Sequence, residues 1–392
     1  MKIAIIGGGI AGLSTALALT QQGHQVQVLE RAAKILPLGA GIWLAPNALK
    51  VLAWLGLKEP IFTAGAKLKR VEITDQHLKA LGSAPEPDAL EAIPYTLAIH
   101  RADLQEILAQ ALPAGVLTLG RTYRRHEQDE NEVRLWLQEE TEPVKVDLLI
   151  GADGLRSALR EDLFPGAPLR YSGQTCWRGI AQMELPEELR ASGKEAWGPG
   201  LRFGLSDLGS GRVYWFAVAN APQGEQDLPT QRREYLLDRF SGFHLAIQDL
   251  IMATPTETIL RHDLSDLKPL SKWSIGRVGL IGDAAHATTP NLGQGAAQGI
   301  EDAFALANIL NQDEPVTTLL QKFEKQRRPK ALNVVRTSWQ MGRMIHHRWG
   351  QPFLKLMMSM TPERVVTRQL AALYAVQGYS PAILPSSSPA HN

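Results

Sequence analysis

The residues best suited to chemistry form a glycine- and acid-containing turn in the C-terminal half of the chain. An apolar run at residues 278–281 precedes this turn and predicts a buried strand. A helical pattern follows and extends to Leu310. The turn and the stretch after it combine one carboxylate with glycines that let a ligand approach the backbone: Gly282, Asp283, Pro290, Gly293, Gln294, Gly295 and Ala296.

A second turn of this kind lies at the N-terminus, after the apolar run at residues 2–6. Gly7 permits a tight turn, Gly9 lets the backbone approach a pyrophosphate, and Gly12 lets the following helix pack closely on the strand. The helix start, which includes Ala11, presents free N–H groups to phosphate oxygens. The next predicted strand ends at Glu30, where a carboxylate suits ribose hydroxyls.

The two turns together indicate the length of the ligand. A single glycine-rich turn at the N-terminus would predict only that some nucleotide binds. A second acid-bearing turn after another strand, about 270 residues later, predicts a long ligand held at both ends. This pattern favours FAD.

Composition excludes several other classes of protein. The 392 residues carry a formal charge of +1 with acids and bases interspersed, which argues against a nucleic-acid-binding protein. One cysteine, Cys176, excludes an internal disulfide and a cysteine-cluster metal site, and fits a reducing, cytoplasmic location. Residues 35–57 are nearly uncharged, but their prolines and glycines oppose a membrane-spanning helix, so we predict buried chain near the cofactor.

Alternating strand and helix patterns predict an α/β fold with a doubly wound, Rossmann-like FAD-binding domain. The sequence becomes β-rich and aromatic from residue 171 and returns to the earlier pattern after Asp263. We predict a discontinuous FAD-binding domain over residues 1–70, 98–170 and 270–330, interrupted by a β-sheet substrate domain over 71–97 and 171–269. C-terminal helices over 331–380 and a disordered Ser/Pro-rich tail over 381–392 complete the prediction.

One local prediction concerns a charged turn around Asp129-Glu130-Asn131. Residues 117–119 and 133–137 on either side of it have strand patterns, and we expect these two strands to pair with each other in a small antiparallel unit outside the main sheet.

A third strand-to-helix turn completes a set of three motifs. It follows the apolar run at residues 146–150 and contains Asp153, Gly154, Ser157 and Arg160. With the turns at Gly7 and Gly282, it resembles the motifs of the single-component FAD-dependent aromatic hydroxylases. That family includes para-hydroxybenzoate, salicylate and urate hydroxylases, and zeaxanthin epoxidase is a relative. The resemblance covers residues 1 to about 330. The C-terminal helices resemble the family only in their general residue pattern and not in any motif.

The resemblance implies roles for individual residues. Glu30 would hold the adenosine ribose beside Arg31, and Arg101 would face the pyrophosphate. Asp283 would bind ribityl hydroxyls or lie beside the pyrophosphate, although a helix N-cap is an alternative role. Backbone from Gly293 to Ala296 would approach the isoalloxazine ring. Asp153 and Arg160 would contribute to FAD and to a nicotinamide phosphate, while an ordinary capped turn is the alternative.

The resemblance also implies a reaction. NADH or NADPH, bound transiently, would reduce FAD, and the reduced flavin would react with O2. A flavin C4a-hydroperoxide would then hydroxylate or epoxidise an electron-rich aromatic or conjugated substrate, with no metal. On the substrate side Arg202 and Tyr214 are the candidates, followed by Arg178. For Arg202, an internal salt bridge or a solvent-facing position is an alternative that the sequence leaves open.

Other functions remain open at this stage. One is a different flavin enzyme on the same scaffold, such as a halogenase or a prenyl-chain reductase, and another is a non-catalytic flavin-binding redox module. The expected partners are a small molecule and O2, with a monomer or homodimer as the assembly. No membrane span is expected, and a weak peripheral membrane contact by residues 352–360 is left open.

Overall fold

The computed structural model describes residues 1–35, 40–83, 95–138, 140–347 and 349–380. The predicted disorder of residues 381–392 lies outside this range. Strands, in chain order, are β1 (Lys2–Ile6), β2 (Gln25–Glu30), β3 (Gly41–Leu44), β4 (Ala66–Leu68), β5 (Arg70–Asp75), β6 (Ala80–Ser83), β7 (Thr96–His100), β8 (Leu117–Leu119), β9 (Tyr123–Gln128), β10 (Val133–Leu137), β11 (Val144–Val146), β12 (Leu148–Gly151), β13 (Leu169–Gln182), β14 (Ser192–Gly198), β15 (Leu201–Gly209), β16 (Arg212–Asn220), β17 (Leu260–Leu267), β18 (Ser274–Ile275) and β19 (Val278–Leu280). Helices are α1 (Ile10–Gln21), α2 (Pro46–Trp54), α3 (Lys58–Ala64), α4 (Arg101–Gln110), α5 (Ala158–Leu163), α6 (Arg232–Arg239), α7 (Leu245–Met252), α8 (Asp283–His286), α9 (Gly295–Leu310), α10 (Val316–His346), α11 (Gly350–Met360) and α12 (Glu363–Tyr374).

A six-stranded sheet, with strand order β18-β19-β12-β1-β2-β8, brings the three sequence motifs together. β1 pairs in parallel with β12, and β12 pairs in parallel with β19. The register places Ile6 beside Gly151, and Gly151 beside Leu280. The turns that follow these three residues therefore lie side by side at the carboxyl edge of the sheet, where ligands of doubly wound folds bind. The predicted α/β fold is confirmed.

Small residues let the first and third of these turns pack against each other. A Cβ atom added at Gly282 or at Gly299 would lie 2.8 Å from the Cβ of Ala11. This distance is too short for carbon–carbon contact, so α1 and α9 approach closely only because both positions are glycine. Ala11 thus acts at this helix contact, whatever further role it has beside a ligand.

A seven-stranded sheet, with order β17-β13-β16-β15-β14-β5-β6, has two distinct faces. One face carries Trp177, Phe203 and Trp215, which are buried against residues of α6 and α7 such as Phe240 and Ile247. Because side chains alternate along a strand, the neighbouring positions point the other way. These positions contact β3, α4, α10 and the stretch before α9. This second face of the seven-stranded sheet therefore covers the carboxyl edge of the six-stranded sheet.

The predicted antiparallel unit is partly wrong. Residues 133–137 do form an antiparallel strand, but it pairs with β9 and β11. β8 instead pairs in parallel with β2 at the edge of the six-stranded sheet. A three-residue strand pattern carries no information about its partner, and here the neighbouring β2 supplies free backbone groups.

Within the described residues, no helix is long and apolar enough to cross a membrane. The uncharged segment that begins at residue 35 includes β3 and α2, and most of α2 is buried. Buried chain was the prediction for this segment, and it is confirmed over the residues that the structure describes.

Candidate functional site

The turn after β1 has no room for side chains at Gly7 and Gly12, and it is open at Gly9. A Cβ atom at Gly7, where φ is +109°, would lie 2.4 Å from the carbonyl oxygen of Ala152, and one at Gly12 would lie 2.0 Å from that of Gly7. At Gly9 a Cβ atom would meet no described atom within 4 Å. Gly9 precedes α1, whose first N–H groups receive no side-chain cap. The turn therefore offers an open, N–H-rich surface suited to phosphate oxygens.

The Glu30 carboxylate is held beside this turn by backbone groups. Its Oε2 accepts a hydrogen bond of 2.6 Å from the Gly8 N–H, and its Oε1 accepts one of 2.8 Å from the Ala32 N–H. A carboxylate oxygen has two acceptor directions, so each oxygen retains capacity for a ribose hydroxyl. Arg31 follows the last residue of β2 and is exposed to solvent.

Asp283 occupies the first position of α8, after Gly282 with φ of +56°. It is exposed to solvent, although the surrounding protein desolvates its carboxylate. This desolvation raises the pKa of Asp283, while His286, Arg101 and Arg160 partly oppose the rise. No helix-capping hydrogen bond to its side chain occurs within the described chain, so the alternative N-cap role is not observed. Its acceptor oxygens therefore line an open cleft.

A buried ionic network supports the Gly282-Asp283 turn from below. Asp302 Oδ2 accepts hydrogen bonds from the Gly282 N–H (2.9 Å) and pairs with His286 Nε2 (2.6 Å). Its Oδ1 accepts a bond of 2.8 Å from Arg327 Nε, and Arg327 Nη1 donates to Glu301 at 2.7 Å. Burial alone would raise the pKa of Asp302, but His286 and Arg327 outweigh it and hold that pKa below its usual value. Through its contact with Asp302, His286 braces the Gly282-Asp283 turn.

The same network reaches the start of α9. Asn47 Nδ2 donates to Gln294 (2.9 Å) and to Glu301 (2.6 Å), and Lys330 Nζ donates to Glu301 (2.7 Å). Gln294 is buried and follows Gly293, which takes the left-handed conformation with φ of +61°. The first N–H groups of α9, from Gly295 onward, have no side-chain cap. Buried side chains therefore fix the position of an N–H-rich helix end.

The turn after β12 has both expected and unexpected contacts. Ser157 caps α5 by accepting from the Arg160 N–H, and Asp153 Oδ2 accepts from the Leu159 N–H at 3.2 Å. Asp153 Oδ1 is buried without a hydrogen-bond partner among the described residues. Arg160 is also buried, and its guanidinium donates to the Ala284 and Leu155 carbonyls. These contacts favour a bracing role for Arg160, and its contact with a nicotinamide phosphate stays a prediction.

Arg101 and Gln105 come from the first turns of α4. Arg101 is exposed, its N–H donates to the Ala40 carbonyl, and its charge is near enough to lower the pKa of Asp283. Gln105 Nε2 donates to the Gly8 carbonyl at 2.7 Å and so holds the first glycine turn. Sequence reasoning missed Gln105, since only its position one turn after Arg101 could have indicated it.

Arg202 is fully engaged by the protein. It is 2% exposed, and its guanidinium donates to Glu195 (3.1 Å), His346 (3.0 Å) and Asn291 (2.7 Å). Burial and the neighbouring Arg202 lower the pKa of His346 to about 3, so this imidazole is a neutral acceptor. The internal salt bridge left open by the sequence is therefore present. Through Asn291, Arg202 holds the stretch just before Gly293.

Tyr214 lies on the face of the seven-stranded sheet that is turned to the cleft. Its ring packs on the backbone of Gly41, and its hydroxyl hydrogen-bonds with Arg178. Burial raises the pKa of Tyr214, which stays protonated at neutral pH. Phe216 and Trp43 extend this aromatic surface, with ring centroids 6.2 Å apart, and Trp43 donates to Ser206.

The described residues fit FAD. Two uncapped helix ends, an accessible carboxylate at Asp283, an unpartnered buried oxygen on Asp153 and the open side of Gly9 all lie along one edge of the sheet. Among the described residues no cluster of histidine, cysteine, aspartate or glutamate could hold a metal ion.

Comparisons with known proteins agree with this geometry. Residues 1–338 match the family described as FAD binding domain. The chain is 37% identical over 375 residues to aurachin C monooxygenase/isomerase of Stigmatella aurantiaca, covering 94% of this chain and 96% of that one. It is 35% identical to 2-heptyl-3-hydroxy-4(1H)-quinolone synthase of Pseudomonas aeruginosa, covering 90% and 91%. The structure of Klebsiella pneumoniae HpxO complexed with FAD and uric acid superimposes with a TM-score of 0.87 at 28% identity, covering 95% and 96%.

Asp283→Ala should weaken FAD retention. The change removes the accessible acceptor of the cleft, and charge-assisted hydrogen bonds of about 1.5–3 kcal/mol correspond to a rise in the dissociation constant of roughly 10- to 150-fold. Flavin fluorescence titration of the apoprotein measures this constant. Asp313→Ala, at an exposed position after α9, is the matched control and should bind FAD normally. An unchanged constant in Asp283→Ala would refute the assigned role.

Arg327→Met should destabilise the fold by about 3–5 kcal/mol at neutral pH, because it leaves Glu301 and Asp302 buried with one cation fewer. The pKa of Asp302 is lowered in the folded state, so its ionised form stabilises the protein above about pH 4 and loses this effect as pH falls. The gap between variant and parent in urea unfolding should therefore shrink in acid. Arg336→Met, at an exposed position of α10, should differ little from the parent at either pH. A gap that stayed constant with pH would contradict this account.

Proposed function

This chain belongs to the FAD-binding family of aromatic hydroxylases, and we propose that its own substrate is a planar fused-ring heteroaromatic of the 4-quinolone class with an apolar side chain. The chain is an FAD-dependent monooxygenase, and NAD(P)H is the electron donor typical of its family. The balanced reaction joins substrate, O2, NAD(P)H and a proton to give oxygenated substrate, NAD(P)+ and water. One atom of O2 enters the product and the other leaves as water.

Two relatives support the quinolone class over smaller aromatics. The names of the Stigmatella and Pseudomonas enzymes refer to aurachin C and to a heptyl-substituted 4(1H)-quinolone, and each aligns with at least nine-tenths of this chain. The compound named for the Pseudomonas enzyme combines a fused quinolone ring with an apolar heptyl substituent. HpxO, by contrast, was crystallised with uric acid, a polar ring.

The observation that carries the proposal is the aromatic surface on the sheet face that covers the cleft. Tyr214, Phe216 and Trp43 lie together there, and Ile180 and Leu208 belong to the same apolar cluster. An aromatic surface of this kind suits a fused aromatic ring, and stacking or edge contacts with each side chain add about 0.5–1.5 kcal/mol beyond area burial. The apolar cluster also keeps water from the ring, which favours transfer of oxygen over loss of peroxide.

Bound FAD supplies the redox chemistry, namely hydride acceptance and activation of O2. We assign Glu30, Arg101, Asp153 and Asp283 to holding it, with the start of α9 at the isoalloxazine end. The N–H groups of Gly295 and Ala296 would stabilise negative charge on the reduced ring, as helix N-termini do for anions.

On the substrate side we assign polar roles to Tyr214 and Arg178. The protonated Tyr214 hydroxyl, polarised by the Arg178 guanidinium, would donate a hydrogen bond to the ring oxygen of a quinolone. A donor there favours the electron-rich, oxyanion-like form of the ring. We assign Arg202 a positioning role instead, since its three donations already go to protein groups and one of them holds Asn291, just before Gly293.

A substrate panel tests the proposed class. The FAD-loaded protein should consume NAD(P)H faster when a 2-alkyl-4(1H)-quinolone is added, with stoichiometric oxygen from labelled O2 in the product. Urate, salicylate and a carotenoid are the comparison compounds, and each should give a lower kcat/KM. Selective turnover of one of these compounds would overturn the quinolone assignment while leaving the monooxygenase activity intact. Activation of NADH or NADPH oxidation identifies the donor in the same assay.

Tyr214→Phe should lower kcat/KM for the quinolone by about tenfold, because it deletes one hydrogen bond to a buried polar substrate atom and preserves the ring. FAD content should not change. Tyr235→Phe, on the opposite side of the seven-stranded sheet next to Trp177, is the matched control and should behave as the parent. An equal loss in both variants would indicate a general structural effect and refute the contact.

A further inference from the structure

Acids and bases are interspersed over residues 1–324, but the last 68 residues are predominantly basic. Residues 325–392 contain ten lysines and arginines and one acid, Glu363, so their formal charge is +9. The whole chain has 41 bases and 40 acids, and the preceding residues therefore carry −8. Three of the ten bases pair with acids that precede this segment: Arg327 and Lys330 with Glu301 and Asp302, and Arg328 with Glu324. The last helices remain strongly basic.

The same helices expose an apolar surface, which we call the α11 face: Phe353, Met357 and Met360 of α11 together with Val365 of α12. The three α11 residues follow the i, i+4, i+7 spacing of one helix face and are 53%, 48% and 69% exposed. Arg343, Arg364 and Arg368 are exposed on the adjoining helices. Apolar side chains bordered by cations are typical of helices that lie in a membrane interface.

The other side of α11 is fixed to the protein. Gln351 is 7% exposed and donates to the Gly198 carbonyl at the end of β14, with a distance of 2.7 Å. In the last turn of α10, His346 accepts from Arg202 and its carbonyl accepts from Asn220. The helix is therefore anchored by its polar start, and its apolar residues face outward from a fixed support.

We propose that the α11 face binds the surface of an anionic lipid bilayer. Phe353, Met357 and Met360 enter the boundary between headgroups and acyl chains, and the surrounding arginines contact anionic headgroups. A second copy of the chain is a poorer occupant, because a two-fold contact would bring two basic segments together. His346 lies four residues before the start of α11 and accepts a hydrogen bond from Arg202 of β15, so binding at the α11 face would place the membrane near the seven-stranded sheet.

Vesicle co-sedimentation of the full-length, FAD-loaded protein tests this proposal. Vesicles of phosphatidylcholine with phosphatidylglycerol should bind the protein, phosphatidylcholine alone should bind it weakly, and added salt should release it. Phe353→Ser/Met357→Gln should lower the partition coefficient by about tenfold or more. Arg364→Gln/Arg368→Gln should reduce binding to the anionic vesicles only.

Matched controls distinguish binding through the α11 face from non-specific binding of the protein to vesicles. Leu245→Gln/Met252→Gln changes two residues of α7 that are 76% and 54% exposed, on the other side of the seven-stranded sheet, and should bind vesicles like the parent. Flavin content and the unfolding midpoint show that each variant is folded. Absent binding to anionic vesicles, or equal losses in the α7 control, would overturn the proposal. So would a dimer that dissociates in Phe353→Ser/Met357→Gln without any vesicle binding. These outcomes do not depend on turnover, so they are distinguishable from a failure of the quinolone assignment.

Discussion

The buried contact of Arg327 with Glu301 and Asp302 is the interaction on which the cofactor site depends. Asp302 holds the Gly282 N–H and His286, and Glu301 holds Asn47 and Lys330. A guanidinium suits this position because its fork of donors serves two carboxylates at once. Neither carboxylate touches the cleft, yet together they fix the Asp283 turn and the start of α9. Removing the guanidinium would leave these two buried carboxylates with one cation fewer, which is costly in a low-dielectric interior.

The two sheets have different roles in the candidate site. Parallel pairing of β1, β12 and β19 places three turns along one edge, and we assign one long cofactor to all of them. The seven-stranded sheet supplies the opposite wall, with Trp177 and Trp215 packed on α6 and α7 and Tyr214 on the other face, against Gly41. Strand alternation alone produces this two-sided design. Substrate recognition can therefore change on one face without altering the core on the other.

Much of the cofactor site could be predicted because its determinants are local. Gly7 and Gly12 are required by backbone contacts of 2.4 and 2.0 Å within one strand-turn-helix unit, and Glu30 ends the next strand. Gln105, Asn47 and Arg327 could not be predicted, since each contacts a residue that is distant in sequence and has no motif of its own. The pairing of β8 with β2 was missed for the same reason: three residues specify a strand but not its neighbour.

The sequence by itself determined the fold class, the three cofactor turns and the choice of FAD, because glycine conformation, buried strands and terminal acids act over a few residues. Only the tertiary structure decided which groups the charged side chains contact when their partners are distant in sequence. Arg160 and Arg202 were candidates for ligand contacts, and in the structure both donate hydrogen bonds to groups of the protein, while the contact of Arg160 with a nicotinamide phosphate stays a prediction. The reason is physical: a buried guanidinium must be satisfied, and which acceptors satisfy it depends on which distant segments the fold brings beside it.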